Sequence, residues 1–178
     1  MSDSTNLIRT LSLSPHPEGG FYCHTHSHDL TVPNPFSSPS SSPSDTTRLA
    51  SNSIHYLLTP TSPIGHFHRN KSVIYHFLHR GRGVYRLIHP ESKAVEEFVV
   101  GGDIAGGEKI AWVVEGGVWK SSQMMEGEEG LLISEVVVPG FEFRDTEFLD
   151  WKGLRELVGE EKARKWRGFL KLEMRGEE

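Results

Sequence analysis

Between Ser51 and Val138 the chain never holds one pattern for long, and this constrains its fold more than any other feature. SNSIHYLLT (51–59) alternates as a strand with one buried face does, and TPTSP then breaks it. HFH begins another strand, and VIYHFL continues after the RNKS loop. VYRLIH (84–89), AVEEFVV (94–100), KIAWVVE, VWKSSQM and LLISEVVV follow, cut apart by turns rich in Gly and Pro. With FYCHTHSH (21–28) this makes about nine short strands, with a turn roughly every 8–12 residues, which is the spacing of a β-sandwich or barrel.

The two ends read differently. Residues 4–13 predict a short helix, with Ser4 or Thr5 as cap, Leu7, Ile8 and Leu11 on one face, and Pro15 as its stop. From Leu149 to Lys171, Leu154, Leu157, Val158, Trp166, Phe169 and Leu170 recur near helical spacing, although Gly153, Gly159 and Gly168 weaken the pattern. One or two amphipathic helices packed on the barrel's outer wall are expected. The expected division is 1–148 for the β domain and 149–178 for a helical extension. PNPFSSPSSSPSDTT (33–47) has no periodicity and too little apolar surface to offset its ordering entropy. It predicts a mobile loop inserted between strands.

Several function classes are disfavoured. The net charge is −5 and no basic stripe appears, so nucleic acid is not an expected partner. Cys23 is the lone cysteine, which rules out an intramolecular disulfide and any Cys-based zinc motif. No apolar run approaches the roughly 20 residues that span a bilayer. MSDSTNLIRTLSL lacks a basic region followed by an apolar one, so no secretory signal is read. The expectation is a cytoplasmic protein, with nuclear entry left open and no membrane partner.

The chemistry concentrates in GHFHRNKSVIYHFLHRGRGVY, Gly65 to Tyr85, where His66, His68, His76 and His79 fall on strand-like stretches. Such histidines can hold a metal, do acid–base work or line a pocket. HPEGG (16–20) reads as a turn into a strand, because paired glycines permit positive φ. His24, His26 and His28 would share one strand face, as solvated edge residues or as a surface metal patch.

HPEGG, SIHYLL, FHRNKS, HRGRG, GGVW and VVVPGFEF, in this order, resemble the small branch of the cupin superfamily described as a domain of unknown function, in its fungal variant. The resemblance covers roughly residues 6–148. It implies an all-β fold, the double-stranded β-helix of the cupin jelly roll (RmlC-like), with the pocket inside the barrel. It also implies a homodimer. Metal-binding cupins use HxH, then Glu, then a later His. Here His66 and His68 match the pair, the Glu position falls on Ile74, and the last His position falls on Lys120. An ammonium repels a divalent ion, so no cofactor is favoured. If a metal is held, His66, His68 and His76 are the expected ligands, since His76 lies two residues past Ile74 on the same strand face.

Without metal the same residues make a polar pocket for a small polar metabolite. His68 is the candidate general base, with Lys71 and Tyr85 as its catalytic partners. Lys71 and Lys120 would hold a carboxylate, phosphate or enolate oxygen. His16 and Glu18 would close one mouth of the barrel, Trp119 would supply an apolar wall, and His55, His66 and His76 complete the ligand-binding set. This set resembles the metal-independent sugar-nucleotide epimerases among cupins, so the expected function is binding with epimerase- or isomerase-type chemistry. A non-catalytic sensor and a metal-dependent oxygenase or isomerase are the rival readings.

Overall fold

The computed structural model describes residues 3–38 and 45–176. Among them, most strands form two facing sheets. The first runs in the order β1 (Ser14–Pro15), β2 (Phe21–Ser27), β5 (Asn52–Leu58), β12 (Leu131–Val138), β7 (Val73–Arg80), β10 (Ala111–Val114). The second runs β13 (Glu147–Phe148), β6 (Ile64–Arg69), β11 (Trp119–Met124), β8 (Gly83–Ile88), β9 (Val95–Val100). From β5 to β8 each successive strand changes sheet, so the chain winds around the core as a jelly roll does. The Gly116–Gly117 turn is one such crossing: β10 pairs with β7, whereas β11 pairs with β6 and β8.

Strand alternation sorts side chains between the core and the outer faces. Ile54, Tyr56 and Leu58 of β5, Tyr85 and Leu87 of β8, Trp112 of β10 and Ile133 of β12 meet between the sheets. Their neighbours along each strand turn outward, and both outer faces find covers. Helix α1 (Asp3–Thr10) sets Leu7 and Ile8 against Leu57 and Leu132 behind the first sheet. Helices α2 (Trp151–Val158) and α3 (Glu160–Trp166) set Leu154 and Ala163 against Phe67, Ile88 and Trp119 behind the second. Each fully buried leucine there contributes roughly 1.5–3 kcal/mol. Asp150 caps α2, accepting the Gly153 N–H at 2.7 Å.

The Ser/Pro-rich segment is more built than its composition predicts. Its flanks pair as β3 (Thr31–Pro33) and β4 (Thr47–Leu49). Asn34 is buried and donates from Nδ2 to the Asp45 carbonyl at 2.9 Å and to Asp45 Oδ1 at 2.8 Å. Residues 39–44 of the expected loop lie outside the described residues. Arg48, buried on β4, pairs with the buried carboxylate of Asp145 and donates to the Gly140 carbonyl at 3.4 Å. That clasp ties β4 to the PGFEF segment (139–143), which forms one rim of the barrel's mouth.

Candidate ligand site at the barrel mouth

The site begins with the HPEGG turn. Gly19 has φ +99, and a Cβ there would fall 2.2 Å from the Ile64 carbonyl oxygen, so only glycine fits. The turn is pinned to β6 by the His66 N–H, which donates to the Glu18 carbonyl at 2.7 Å. Tyr56 Oη donates to the Gly19 carbonyl at 2.8 Å. The consequence is that the Glu18 side chain, buried, enters the barrel from its open end.

Inside, Glu18 meets His68. His68 Nδ1 donates to the His66 carbonyl at 2.8 Å, which fixes the neutral ring as the Nδ1–H tautomer and leaves Nε2 as a lone pair. Glu18 Oε2 lies 3.0 Å from that Nε2. Burial lifts the Glu18 carboxyl to about 8, with Lys120 opposing and Glu135 adding to the rise. Burial, then Lys120, holds His68 well below the ordinary imidazole value. Both shifts favour the uncharged forms, a carboxyl beside an imidazole, close at 3.0 Å but with no hydrogen bond made by His68 Nε2 among the described residues. His16 stands beside it: its Nδ1 accepts the Glu18 N–H at 3.2 Å, and burial lowers it to about 4.

Behind this pair sits a second cluster. Lys120 Nζ donates to both oxygens of Glu135 and to His76 Nε2, each at 3.1 Å. These are the ammonium's three hydrogens, so the lysine is saturated. Burial would raise the Glu135 carboxyl, but Lys120 and then His76 reverse this and hold it well below the usual range. His76 stacks on Trp112 at 5.0 Å and meets Tyr85 edge-on at 5.6 Å. Gly65 is required on β6, where a Cβ would fall 2.4 Å from Ser122 Oγ and 2.8 Å from Tyr56 Oη.

A cavity of about 240 Å³ opens in front of these groups. His16, Glu18 and Glu135 form its floor. Tyr22, Ile54, Val137, Phe141 and Phe143 form its walls. Asn52, Asn70 and His24 complete the rim, and Asn52 holds Phe141 by exchanging hydrogen bonds with its backbone at 3.0 and 3.2 Å. His68 and Lys120 lie deeper, in a closed chamber shared with Tyr56, Tyr85 and Ser122. Glu18 and Glu135 border both spaces.

The structure thus brings together His16, Glu18, His68, His76, Tyr85 and Lys120 from the sequence-predicted set. Four others go elsewhere. His66 leaves the interior because β6 bulges: Lys120 pairs with His68 but Ser122 pairs with Gly65, so His66 and His68 lose their common face. His66 instead lies beside the C-terminal segment, near Phe169, Lys171 and Arg175. His55 sits on the outer face of β5, sharing the Ser134 hydroxyl with His79. Trp119 also points outward, beneath the helices and under Arg69 at 4.5 Å. Lys71 is half-exposed on the β6–β7 loop, 3.5 Å from Asp145. Asp145 in turn pairs with the buried Arg48. The strand-face patch of His24, His26 and His28 is broken by a register shift between His24 and His26.

Glu135, Tyr56, Trp112 and Phe143 went unread in sequence as site residues. Glu135 carried a usable signal, as the lone charge on the inward parity of LLISEVVV, between Ile133 and Val137. Phe143 carried none, because its place depends on the Arg48 clasp.

A metal does not fit this donor set. Ile74 stands at the carboxylate position, His66 has left the interior, and the Lys120 ammonium occupies the lone pairs of His76 and Glu135. Among the described residues no group of three or more His, Cys, Asp or Glu is arranged to hold a metal ion. No helix among them is long and apolar enough to cross a membrane.

Comparison with known proteins gives a consistent picture. Residues 5–149 match the family model described as Cupin superfamily (DUF985). The uncharacterized protein YML079W of Saccharomyces cerevisiae is 46% identical over 168 residues, covering 91% of this chain and 83% of the yeast protein. Protein SO0799 from Shewanella oneidensis superposes with a TM-score of 0.78 at 26% identity, covering 96% of this chain and 99% of that one. A hypothetical protein from Leishmania major gives 0.73 at 27% identity, covering 86% and 91%. An oxalate decarboxylase variant from Bacillus subtilis gives 0.54 at 21% identity over 78% of this chain and 30% of its own, a likeness of fold alone.

Proposed function

The chain belongs to the cupin superfamily, in the family described as DUF985, and from that premise we propose that it binds a small polar metabolite at the barrel mouth and can exchange a proton with it through Glu18. The observation that carries this is the Glu18–His68 pair. A buried carboxyl, 3.0 Å from an imidazole whose tautomer is fixed, borders a cavity of about 240 Å³. Glu18 meets the ligand, and His68 stands behind it as proton partner. This refines the expected role of His68 as the base. The activity would be metal-independent and of isomerase or epimerase type. The exposed Tyr75, Phe77 and Val113 on the outer face of β7 and β10 support a homodimer paired through the first sheet.

A second reading, a non-catalytic binding module, is favoured by a specific observation. Lys120 is saturated and Lys71 lies outside, so neither lysine is free to stabilise an oxyanion in the cavity. Native mass spectrometry of untagged protein tests the binding claim: a co-purified small molecule, lost from a cavity-filling Val137→Trp variant, is expected. A ligand retained by that variant refutes the mouth as the site. With the ligand in hand, His68→Asn separates the readings. Lost turnover with retained binding supports catalysis, and a wild type that never turns the ligand over supports the binding module.

A further inference from the structure

Tyr22 aside, the ionisable groups that line the cavity are two carboxyls and two histidines, with no lysine or arginine among the described lining residues. Glu18 and Glu135 present carboxyl oxygens, whereas the cation that balances Glu135 lies behind it in the closed chamber. His16 Nδ1 accepts from the Glu18 amide, which leaves its Nε2–H as a single donor, and Asn52 is committed to the Phe141 backbone. A carboxylate or phosphate would meet these oxygens with no lysine or arginine among the described lining residues to receive it. The walls add aromatic surface from Tyr22, Phe141 and Phe143, which suits a cation. Without a ligand the Lys120 ammonium balances Glu135 and Glu18 keeps its proton; a cation bound between the two carboxyls lets Glu18 release that proton to solvent, and the site stays balanced.

We infer that the ligand class is a small organic ammonium, a protonated amine on a compact apolar frame. Its N–H groups donate to Glu18 and Glu135, and its frame packs on Tyr22, Phe141 and Phe143. The inference rests on the barrel mouth being a ligand site, as proposed above. The volume of about 240 Å³ is below the usual range of drug-sized sites, so the frame is small.

The test uses three probes that share one frame: 2-phenylethylamine, 2-phenylethanol and phenylacetate. Each is titrated into the full chain by calorimetry at pH 7, with chemical shifts of the cavity residues followed by NMR. The amine is expected to bind about tenfold or more tightly than either of the others, the value of a charge-assisted hydrogen bond over a neutral one. Glu18→Gln is expected to reduce that preference without erasing it, because Glu135 remains, and a preference unchanged in this variant overturns the role given to Glu18. Phe143→Ala, at a residue 60% exposed and so unlike a core change, is expected to weaken the amine without unfolding the barrel. Equal binding of the three, or tighter binding of the alcohol or the acid at the cavity, overturns the ammonium and leaves the mouth as a ligand site. Binding of none, with cavity shifts unmoved, overturns both.

Discussion

Lys120→Met keeps the side chain's length and removes its charge. The wild-type ammonium and the Glu135 carboxylate are 4% and 8% exposed, so water screens them little, and three contacts of 3.1 Å end together. Removing one partner of a buried pair costs about 3–5 kcal/mol, because the other charge is left without compensation. Glu135 can take up a proton instead, which places the expected loss near the lower bound, about 3 kcal/mol. For a chain of this size that is a fall of roughly 6–12 °C in Tm. The sign of the pH dependence is a sharper mark. In the wild type Glu135 is depressed below the ordinary carboxylate value, so its stabilisation is present above about 4.5 and is lost as pH falls through the folded value. In the variant burial outweighs the lowering that His76 still supplies, the folded value rises, and the carboxyl's contribution is lost as pH rises. The deficit is therefore larger at pH 8 than at pH 5.5. Urea denaturation followed by circular dichroism at both pH values measures it, and Lys120→Met/Glu135→Gln should recover part of the loss. A deficit below about 1 kcal/mol, as for an exposed ion pair, would refute the reasoning. So would an equal deficit at both pH values, or a double variant no more stable than the single.

Glu18 should behave oppositely to wild-type Glu135. Its folded value, about 8, lies above the ordinary 4.5, so wild-type stability falls across that window by up to roughly 1.4 kcal/mol per pH unit. Glu18→Gln should flatten that slope and gain on the wild type between pH 5 and 8 in denaturant titrations. Arg48→Met breaks the buried pair with Asp145 and should cost about 3 kcal/mol. Hydrogen exchange should also quicken in residues 139–145, and unchanged exchange there would separate the clasp from the mouth. Leu154→Ala, in the seal between α2 and the second sheet, should cost about 2–5 kcal/mol by thermal melt.

Much of the fold is legible because alternation and turn chemistry are local. Ile54, Tyr56 and Leu58 share a face by period alone, and Leu154 with Leu157 marks a helix by its spacing. The site is less legible because it depends on register. In sequence His66 and His68 form a pair. A one-residue bulge, visible only once β11 lies beside β6, sends them to different faces. Lys71 reads as a pocket cation until its loop is placed. Trp119 and Lys120 are adjacent, so one of them had to point outward, and only the pairing with His68 shows which. Glu18 was legible as a mouth residue through HPEGG. Its proximity to His68 is a contact between residues 50 positions apart, and no local pattern encodes it.

The central claim is that Glu18 stands at the mouth as a carboxylic acid at neutral pH, held against His68. Carbon-13 NMR of side-chain carboxyl carbons, titrated from pH 5 to 9 and assigned by comparison with Glu18→Gln, tests it most directly. The account predicts one glutamate carboxyl that titrates near 8, disappears in the variant and shifts when 2-phenylethylamine is added. A Glu18 signal fully ionised by pH 6, or one indifferent to every ligand that moves the cavity residues, would contradict it.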